Sequence, residues 1–338
     1  MEVLGSRSAG KSRRLNNGSP WNRMKFQGFP LGSPASFPLK HHFPPKIMST
    51  DSVNALPAQE PSISRRWWEG LKMAVGLAGQ MVLAPFYGLY QAWLSAQRHT
   101  WNTPRHIGII MDGNRRFARA RRMLSPMEGH RKGADKLDEV LNWLEEAGVK
   151  VVSVWIFSMD NFKRDPSEVE ALMDLFQRKF TELVSQPRIH ANEIRVRFLG
   201  KVEALPENVR QAIAQAEDAT RHYTRRTLNV GVAYGGREEI VDAFRAYLSG
   251  REKDGASLEQ IQRELTPASI EPYLYTSGMP DPDLIIRTSG EVRLSGFLLW
   301  QSVYSEFYFC DTNWPAFRKI DLLRALREYH RRQRRFGR

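Results

Sequence analysis

Apolar and polar residues alternate along residues 104–338 with two periods, one typical of buried strands and the other typical of amphipathic helices. The alternation predicts an α/β fold, in which an open, mostly parallel six-stranded sheet is flanked by helices with right-handed crossovers. The predicted strands are 106–111, 150–157, 194–199, 228–233, 283–287 and 306–309. The helical stripes are Leu137, Val140, Leu141 and Leu144; Leu172, Leu175, Phe176 and Phe180; and Ile240, Val241, Phe244 and Leu248.

Polar residues follow the first predicted strand at once, in the order Asp112-Gly113-Asn114-Arg115-Arg116. Ligands of a parallel sheet bind beyond the carboxyl ends of its strands, so this cluster is a candidate site. Gly113 lets the backbone approach a ligand, a helix that starts there points free N–H groups at an anion, and arginines suit phosphate oxygens. Asp112 would repel a bare anion but could hold Mg²⁺ on it. A plain turn with Asn114 as the helix cap is the alternative.

Two further polar clusters follow the second and the fifth predicted strands, and their side chains could bind a second anion. Helix capping ahead of Pro166 is the alternative for the first of them, and a surface turn is the alternative for the second. Glu306 opens the last strand and could add a carboxylate to a metal, although a lone acid at a strand end is more often solvated. The candidate residues are Ser158, Asn161 and Arg164 in the first cluster, and Arg287, Arg293 and Ser295 in the second.

Together these sites suit an enzyme that joins two diphosphate substrates, because that chemistry needs two anion sites and one or two carboxylates for a metal. The sequence lacks the GxxxxGK[ST] pattern of a P-loop. It also lacks the DDxxD acid pair of trans-type prenyl synthases. The pattern therefore indicates a class of diphosphate chemistry outside both of these groups.

The net charge is +13, from 50 basic and 37 acidic side chains, and it is concentrated at the two ends of the chain. Residues 1–50 carry eight basic side chains and one acidic side chain, and residues 318–338 carry nine and two. A near-neutral centre with basic ends predicts contacts with an anionic surface and argues against a nucleic-acid-binding fold. Solvated tails without a partner are the alternative. The single cysteine, Cys310, excludes an intramolecular disulfide.

The first 64 residues differ in composition from the rest of the chain. They are rich in Ser, Pro and Gly and have no apolar period, which predicts a disordered basic N-terminal tail over residues 1–64. Residues 1–47 also resemble a transit peptide, although five prolines between Pro30 and Pro45 would break its helix. A true start at Met48, which would make the preceding residues an artefact, is a further alternative.

Residues 65–98 predict a membrane-associated hydrophobic helix. The stretch from Met73 to Gln97 contains no charged residue over 25 positions, a length that could cross a bilayer. Pro85 weakens a spanning helix, and tryptophans such as Trp93 fit an interfacial belt, so a helix that lies in the interface is favoured over one that spans. A helix packed on the protein's own surface is the alternative.

Five segments of residues 104–338, taken in order, carry a specific resemblance to a known family. They are HIGIIMDGNRRFARA (106–120), GHRKGADKL (129–137), FSMDNFKRDPSEVEALMDLF (157–176), NVGVAYGGREEIVDA (229–243) and DPDLIIRTSGEVRLSGFLLWQSVYSEFYFCDTNWPAF (281–317). They closely resemble the cis-prenyltransferases, the family of undecaprenyl diphosphate synthase and dehydrodolichyl diphosphate synthase. The resemblance implies that family's fold with an apolar product tunnel. It also implies Mg²⁺-dependent, successive condensation of isopentenyl diphosphate onto an allylic diphosphate such as farnesyl diphosphate, which yields a long-chain polyprenyl diphosphate.

The resemblance further implies roles for individual residues at the positions that match the family's motifs. Asp112 resembles the essential aspartate that binds Mg²⁺-diphosphate, Asn161 the residue assigned to proton removal, and Glu306 a second metal contact. The matches on the allylic side are Gly113, Asn114, Arg115, Arg116, Phe117, His130, Ser158 and Arg164, and those for isopentenyl diphosphate are Arg287, Arg293 and Ser295. Pro126 departs from the pattern, because it stands where the family usually has an arginine, and Arg121 or Arg122 could substitute.

Features of two family branches occur together in this chain. The pair Arg115-Arg116 and the segment FSMDNFKRDPSEV are similar to the eukaryotic, dolichol-making branch, which implies dehydrodolichyl diphosphate as product and the cytosolic face of the endoplasmic reticulum membrane as location. The ending Arg335-Phe336-Gly337 is similar to the homodimeric branch, in which it reaches the partner's active site. It implies a homodimer on a membrane surface, with no nucleic acid as partner. A catalytic subunit that needs an accessory subunit, and a non-catalytic basic membrane-binding protein, are the alternatives.

Overall fold

The computed structural model describes residues 87–332, and within this range six strands form one sheet. The strands are β1 (His106–Ile110), β2 (Val151–Trp155), β3 (Ile194–Leu199), β4 (Arg226–Gly231), β5 (Leu284–Arg287) and β6 (Glu306–Phe309). Their spatial order is β3-β4-β2-β1-β5-β6, and every neighbouring pair is parallel. The predicted fold class, an α/β protein with an open six-stranded sheet, is therefore confirmed, and the sheet is wholly rather than mostly parallel.

Helices flank this sheet, and they mostly follow the apolar stripes in the sequence. They are α1 (87–97), α2 (Asn114–Ala120), α3 (Pro126–Glu146), α4 (Pro166–Ser185), α5 (Pro187–Ala191), α6 (Glu207–Thr220), α7 (Gly236–Lys253), α8 (Leu258–Glu264), α9 (Pro267–Ile270) and α10 (Lys319–Arg331). The predicted stripes of α3 and α4 are largely buried, as Leu144 and Leu172 illustrate. The predicted stripe of α7 is wrong in part, because Val241 and Leu248 are exposed. The residues that α7 buries are Gly236, Glu239, Ala243 and Tyr247.

The strands are apolar on both sides because the sheet has a packed layer on each face. Successive side chains of a strand point to opposite faces. Ile109 therefore joins the cluster formed with α3, α4 and α6, whereas Ile110 packs with Tyr234 and Phe297 on the other face. Burial on both faces is usual for an all-parallel sheet. It leaves the loops at the carboxyl ends of the strands as the place for polar side chains.

Helix α1 is the described part of the hydrophobic segment predicted at 65–98, and the rest of that segment lies outside the described residues together with the predicted tail 1–64. Leu94 of α1 is fully buried against Ile320 and Leu323 of α10. Within residues 87–332, the structure contains no helix that is long and apolar enough to cross a membrane. One side of α1 is thus packed on the protein itself.

Candidate active site

The carboxyl ends of β1, β2 and β5 meet at one edge of the sheet, because Ile110 pairs with both Trp155 and Arg287. A cavity of about 410 Å³ opens there. Most of the residues that the sequence predicts as binding or catalytic line this cavity, although they come from four separate stretches of the chain. Those that do are Asp112, Gly113, Asn114, Arg115, Arg116, His130, Ser158, Asn161, Arg164, Arg287, Arg293 and Ser295.

Asp112 is held by Arg287 from the neighbouring strand. Its Oδ2 accepts hydrogen bonds from Nε and Nη2 of Arg287, at 3.0 and 2.6 Å. The Arg287 side chain is only 5% exposed, and its Nη1 donates to the carbonyl of Arg293 and, at 3.0 Å, to Oγ of Ser295. The Asp112 side chain remains 41% exposed. Arg287 therefore fixes the carboxylate at the cavity wall and connects it to the loop that carries Arg293 and Ser295.

Gly113 can be replaced by no other residue without strain. Its φ of +103° lies in the left-handed region, and a Cβ added there would stand 2.5 Å from Oδ1 of Asn313. The preceding carbonyl, that of Asp112, accepts hydrogen bonds from the backbone N–H of Trp314 at 2.9 Å and from the hydroxyl of Thr288 at 2.7 Å. This turn starts α2 at Asn114, so that the first backbone N–H groups of the helix face the cavity.

Two arginines of the cavity wall, Arg115 and Arg164, contact a carboxylate that the sequence analysis did not single out. Glu168, from the first turn of α4, lies 3.6 Å from Nη1 of Arg115 and 3.1 Å from Nη1 of Arg164. Nε2 of His130 stands 3.9 Å from the same carboxylate. The sequence carries no periodic signal for this contact, because Arg164 precedes α4, which begins at Pro166.

His130 is uncharged at neutral pH. The pKa of its imidazole is lowered to about 4. Burial is the main cause, and the charges of Arg164 and Arg115 together lower the pKa more than the charge of Glu168 raises it. Its Nε2 is buried without a hydrogen-bond partner among the described residues. A buried polar atom without a partner is costly, so this nitrogen is suited to a hydrogen bond with a bound ligand.

A second carboxylate, Glu291, lines the cavity beside Arg293, which the sequence predicts to bind isopentenyl diphosphate. It accepts hydrogen bonds from both Arg116 and Arg293, and these bonds lower its pKa. Arg116 also donates to the carbonyl and the hydroxyl of Ser289, at 2.9 and 2.8 Å. Ser289 has a φ of +74°, in the left-handed region that non-glycine residues rarely adopt, and its N–H donates to the carbonyl of Thr312. The two arginines predicted to bind different diphosphates are thus joined by one acid.

Ser158 and Asn161 form a cap at the end of β2 while they line the cavity. The side-chain carbonyl of Asn161 accepts a hydrogen bond from the backbone N–H of Ser158, at 3.0 Å. This pair starts the short 3₁₀ turn Met159–Lys163, and Asp165 in turn caps α4 ahead of Pro166. The capping alternative is therefore observed, together with the placement at the cavity that a functional role requires.

Several predicted residues are not brought to this cavity. Glu306 stands at the amino end of β6, the end of the sheet opposite to Asp112, and accepts a hydrogen bond from Arg332 at 2.7 Å. Phe117 does not line the cavity, and Arg121 stacks over its ring at 5.5 Å. Arg122 does not line it either, so the structure shows no substitute for the arginine missing at Pro126. Arg335 and Gly337 lie outside the described residues.

Asp112 suits a magnesium ion that a diphosphate substrate brings with it. Among residues 87–332 no group of three or more His, Cys, Asp or Glu side chains could hold a metal by itself. Mg²⁺ usually keeps several waters and binds through one or two carboxylates together with substrate phosphates. An exposed aspartate beside arginines fits this mode of binding.

A second, apolar cavity of about 110 Å³ lies between α3 and α4. It begins at Met111, Asn114, His130 and Ile156, which line the polar cavity as well. Its far end is bordered by polar residues, where Nζ of Lys179 stands 3.5 Å from Oδ1 of Asp135 across the two helices. An anionic group in the polar cavity could therefore extend an apolar chain between the helices. The apolar lining includes Leu137, Leu141, Leu172, Leu175, Phe176, Phe180 and Leu183.

The chain is closely similar to known proteins, both in sequence and in fold. The family model that describes undecaprenyl diphosphate synthases matches residues 110–337. The chain is 53% identical to an isoprenyl transferase of Thermus thermophilus over 254 residues, which are 75% of this chain and 96% of that protein. It is 49% identical to a tritrans,polycis-undecaprenyl-diphosphate synthase (geranylgeranyl-diphosphate specific) of Methanopyrus kandleri over 261 residues, 77% of this chain and 94% of that one. The structure resembles lavandulyl diphosphate synthase from Lavandula x intermedia in complex with dimethylallyl diphosphate, with a TM-score of 0.64, 35% identity, and coverage of 70% and 99%.

Proposed function

Since this chain belongs to the undecaprenyl diphosphate synthase family of cis-prenyltransferases, we propose that it condenses isopentenyl diphosphate repeatedly onto an allylic diphosphate. The chain is a prenyl transferase, and the product we propose is a long-chain polyprenyl diphosphate. The observation that carries the proposal is the polar cavity, which adjoins an apolar cavity. The exposed Asp112 lines the polar cavity together with two pairs of arginines, Arg115 with Arg164 and Arg116 with Arg293. This arrangement supports two proposed diphosphate sites and a proposed path for a hydrocarbon chain.

In the proposed reaction each substrate replaces an internal carboxylate. The allylic diphosphate takes the place of Glu168 beside Arg115 and Arg164, and neutral His130 donates or accepts one further hydrogen bond. Isopentenyl diphosphate takes the place of Glu291 beside Arg293, and this releases Arg116 for the allylic diphosphate. Arginines bind such groups well because their forked N–H donors match two oxygens of a phosphate at once.

The new carbon–carbon bond forms when the isopentenyl double bond attacks C1 of the allylic substrate and the allylic diphosphate leaves. The cations around the leaving group stabilise its growing charge. Mg²⁺, held by Asp112, would neutralise diphosphate oxygens further when bound. The isopentenyl unit then loses a proton from C2 beside Asn161, to which the family resemblance gives the role in proton removal. The released pyrophosphate accepts this proton, and the electrons of the broken C–H bond form the cis double bond.

The starter and the product are finer parts of the proposal. We propose farnesyl diphosphate as the starter and dehydrodolichyl diphosphate, used for dolichol and protein glycosylation, as the product. The support is the pair Arg115-Arg116 and the segment at 157–169, which are similar to the dolichol-making branch. The printed name of the archaeal relative specifies geranylgeranyl diphosphate, so both starters belong in the assay.

A homodimer is supported by the open edge of the sheet. Strand β6 pairs with β5 on one side only among the described strands. The residues just ahead of it, Val303 and Tyr304, are 71% and 68% exposed. An exposed apolar patch beside a strand edge is typical of a surface that pairs with another chain. The partner copy would also bring Arg335 to the active site, as the family resemblance implies.

A membrane surface is supported by the outer side of α1. Leu89 and Trp93 are 70% and 49% exposed on this helix, although Leu94 packs against the protein. Trp at such a position is typical of a membrane interface. We therefore propose that the enzyme works at the cytosolic face of the endoplasmic reticulum membrane, with the segment that ends in α1 lying in the interface.

The experiment that tests the function uses the purified full-length chain without a second protein. Farnesyl or geranylgeranyl diphosphate is supplied with labelled isopentenyl diphosphate and Mg²⁺, and the products are separated by length. We expect the chain alone to form long products, and Asp112→Asn to reduce turnover by about a hundredfold or more because it removes the metal contact. Asp218→Asn, on the exposed face of α6, is the matched control. Normal turnover by Asp112→Asn would contradict the site, and turnover only with an added subunit would contradict the homodimer.

A further inference from the structure

The connection between α2 and α3 holds an arginine in a conformation that usually requires glycine. Helix α2 ends with hydrogen bonds from the N–H of Arg122 to the carbonyl of Arg119, at 3.1 Å, and from the N–H of Met123 to that of Ala118, at 3.0 Å. These two bonds define a Schellman motif, whose turning residue is left-handed and is most often glycine. Arg122 occupies that position with a φ of +52°. Strain of this kind is found mainly where a side chain has a function.

The turn directs the next apolar side chain away from the protein. Leu124 is 99% exposed, the highest value among the exposed large apolar residues of the described chain, although Met123 before it is partly buried. A single exposed leucine is ordinary by itself. The charges around it, however, are not those of an ordinary surface.

Residues 115–132 carry seven basic side chains and one acid, Glu128. Arg115 and Arg116 belong to the polar cavity, whereas the other five do not line it. All five are exposed, and three of them, Arg119, Arg131 and Lys132, form no ion pair with a described residue. The remaining two are Arg121 and Arg122. An exposed leucine that is flanked along the sequence by exposed cations, here called the collar, matches the interface of a bilayer, which is apolar below an anionic layer of headgroups.

The position of this turn relates it to the substrate cavities. Helix α2 begins at the polar cavity and has only seven residues, so its end lies about 10 Å from that cavity. Helix α3, which follows the turn, contributes His130 to both cavities. A surface that holds this turn would therefore also lie near the two cavities.

We propose that residues 119–132 form a lipid-binding surface, in which Leu124 enters an anionic phospholipid bilayer and Arg119, Arg121, Arg122, Arg131 and Lys132 contact the headgroups. This inference rests on the proposed function in one respect: if the enzyme makes a long apolar product, the lipid-binding surface places a membrane beside the cavity in which that product forms. It differs from the contact expected of α1, which lies on another element. A nucleic acid would use the cations but not the apolar tip, so a bilayer fits the combination better.

A fluorescent label at position 124 tests this contact directly in the full-length chain. The only cysteine, Cys310, is buried, so Leu124→Cys can be labelled selectively with an environment-sensitive dye such as NBD. Leu258→Cys is the matched control, because Leu258 is 67% exposed on α8 beside the acids Glu259 and Glu264. With vesicles of phosphatidylcholine and phosphatidylglycerol, we expect the emission at 124 to rise about two- to fivefold, as in an apolar environment, and to be quenched by lipid-attached quenchers. The label at 258 should not change.

Three outcomes would overturn the proposal. The first is a label at 124 that remains in water while the protein sediments with the vesicles. The second is an equal response to pure phosphatidylcholine vesicles, which would remove the role of the cations. The third is an equal response to soluble polyphosphate or RNA without lipid, which would indicate a site for soluble polyanions.

The charge contribution is tested with a double variant, Arg119→Glu with Lys132→Glu. We expect its affinity for the anionic vesicles to fall about tenfold or more at low salt, because each cation near such a surface contributes to binding. A variant that binds as wild type would contradict the collar. Turnover of soluble substrates in detergent separates the two proposals: its absence in the wild-type chain would refute the enzyme activity, whereas the vesicle results concern the surface alone.

Discussion

Glu168 and Glu291 occupy the positions at which the proposed function requires the negative charge of a diphosphate. Each lies between cations that come from different parts of the chain: Glu168 contacts Arg115 and Arg164, and Glu291 contacts Arg116 and Arg293. Without these acids the arginines would repel one another across the cavity. The acids therefore keep the ligand-free site compact, and a substrate must compete with them.

Replacement of Glu291 by Gln tests this competition. The amide keeps the shape but removes the charge, so Arg116 and Arg293 lose their internal partner. We expect the affinity for inorganic pyrophosphate, measured by calorimetry, to rise about two- to fivefold, the range of a partly exposed ion pair. Glu259→Gln, on the exposed surface of α8, is the control. A lower affinity than wild type would show instead that Glu291 mainly orients the two arginines.

The sequence was sufficient to place Asp112 and the cations of this site, but it did not show Glu168 and Glu291. Asp112 and Arg287 could be predicted because each directly follows or ends a strand, and parallel strands bring their carboxyl ends to one edge. Glu291 pairs with Arg116, which is 175 residues away, and only the turn at Ser289 brings them together. Such a pairing depends on the fold of the loop and leaves no periodic signal.

Among the elements, α7 shows why an apolar stripe can predict the wrong buried face of a helix. The apolar residues Val241 and Leu248 suggest one face, but the helix buries Glu239, whose carboxylate accepts hydrogen bonds from Tyr234 and Gln301. A buried acid with several donors is stable in a core, although its residue type indicates a surface. The strands could be predicted without this error, because strands buried on both faces are continuous apolar runs in the sequence.

A prediction about a whole element concerns helix α1, because a single side chain, Leu94, makes much of its contact with α10. Leu94 is completely buried against Ile320 and Leu323. We expect Leu94→Ala to loosen α1 from α10 while the sheet stays folded, since the lost packing affects only this contact. Trypsin should then cleave at Arg98 or Arg105 about tenfold faster or more, as measured on gels, with the main unfolding transition nearly unchanged.

Leu89→Ala is the control for this helix, because Leu89 is 70% exposed and packs little on the protein. If Leu94→Ala instead lowered the whole unfolding transition without faster cleavage, α1 would be an integral part of the core. If neither variant were cleaved faster, other contacts would hold the helix, such as the stacking of Arg318 over Tyr87.

At the scale of the whole molecule, the apolar cavity is too small for the long-chain product proposed above. Its volume is about 110 Å³. A cavity of roughly 150 Å³ accommodates one benzene molecule, so this smaller cavity holds at most about one five-carbon unit. A longer chain requires α3 and α4 to separate. That motion would break the contacts of Lys179 with Asp135, at 3.5 Å, and of Gln186 with Asp138, at 3.2 Å.

Leu137→Trp tests whether this space limits the length of the product. Leu137 lies on α3 in the wall of the apolar cavity, so a larger side chain there fills the path of the growing chain but leaves both diphosphate sites intact. We expect the main products, separated by reverse-phase chromatography, to become shorter, while the rate of the first condensation stays within about twofold, because overpacking strains the wall more than the site. Leu248→Trp, at an exposed position of α7, controls for the added tryptophan. Products of unchanged length would mean that the chain grows along a different route, away from the space between α3 and α4.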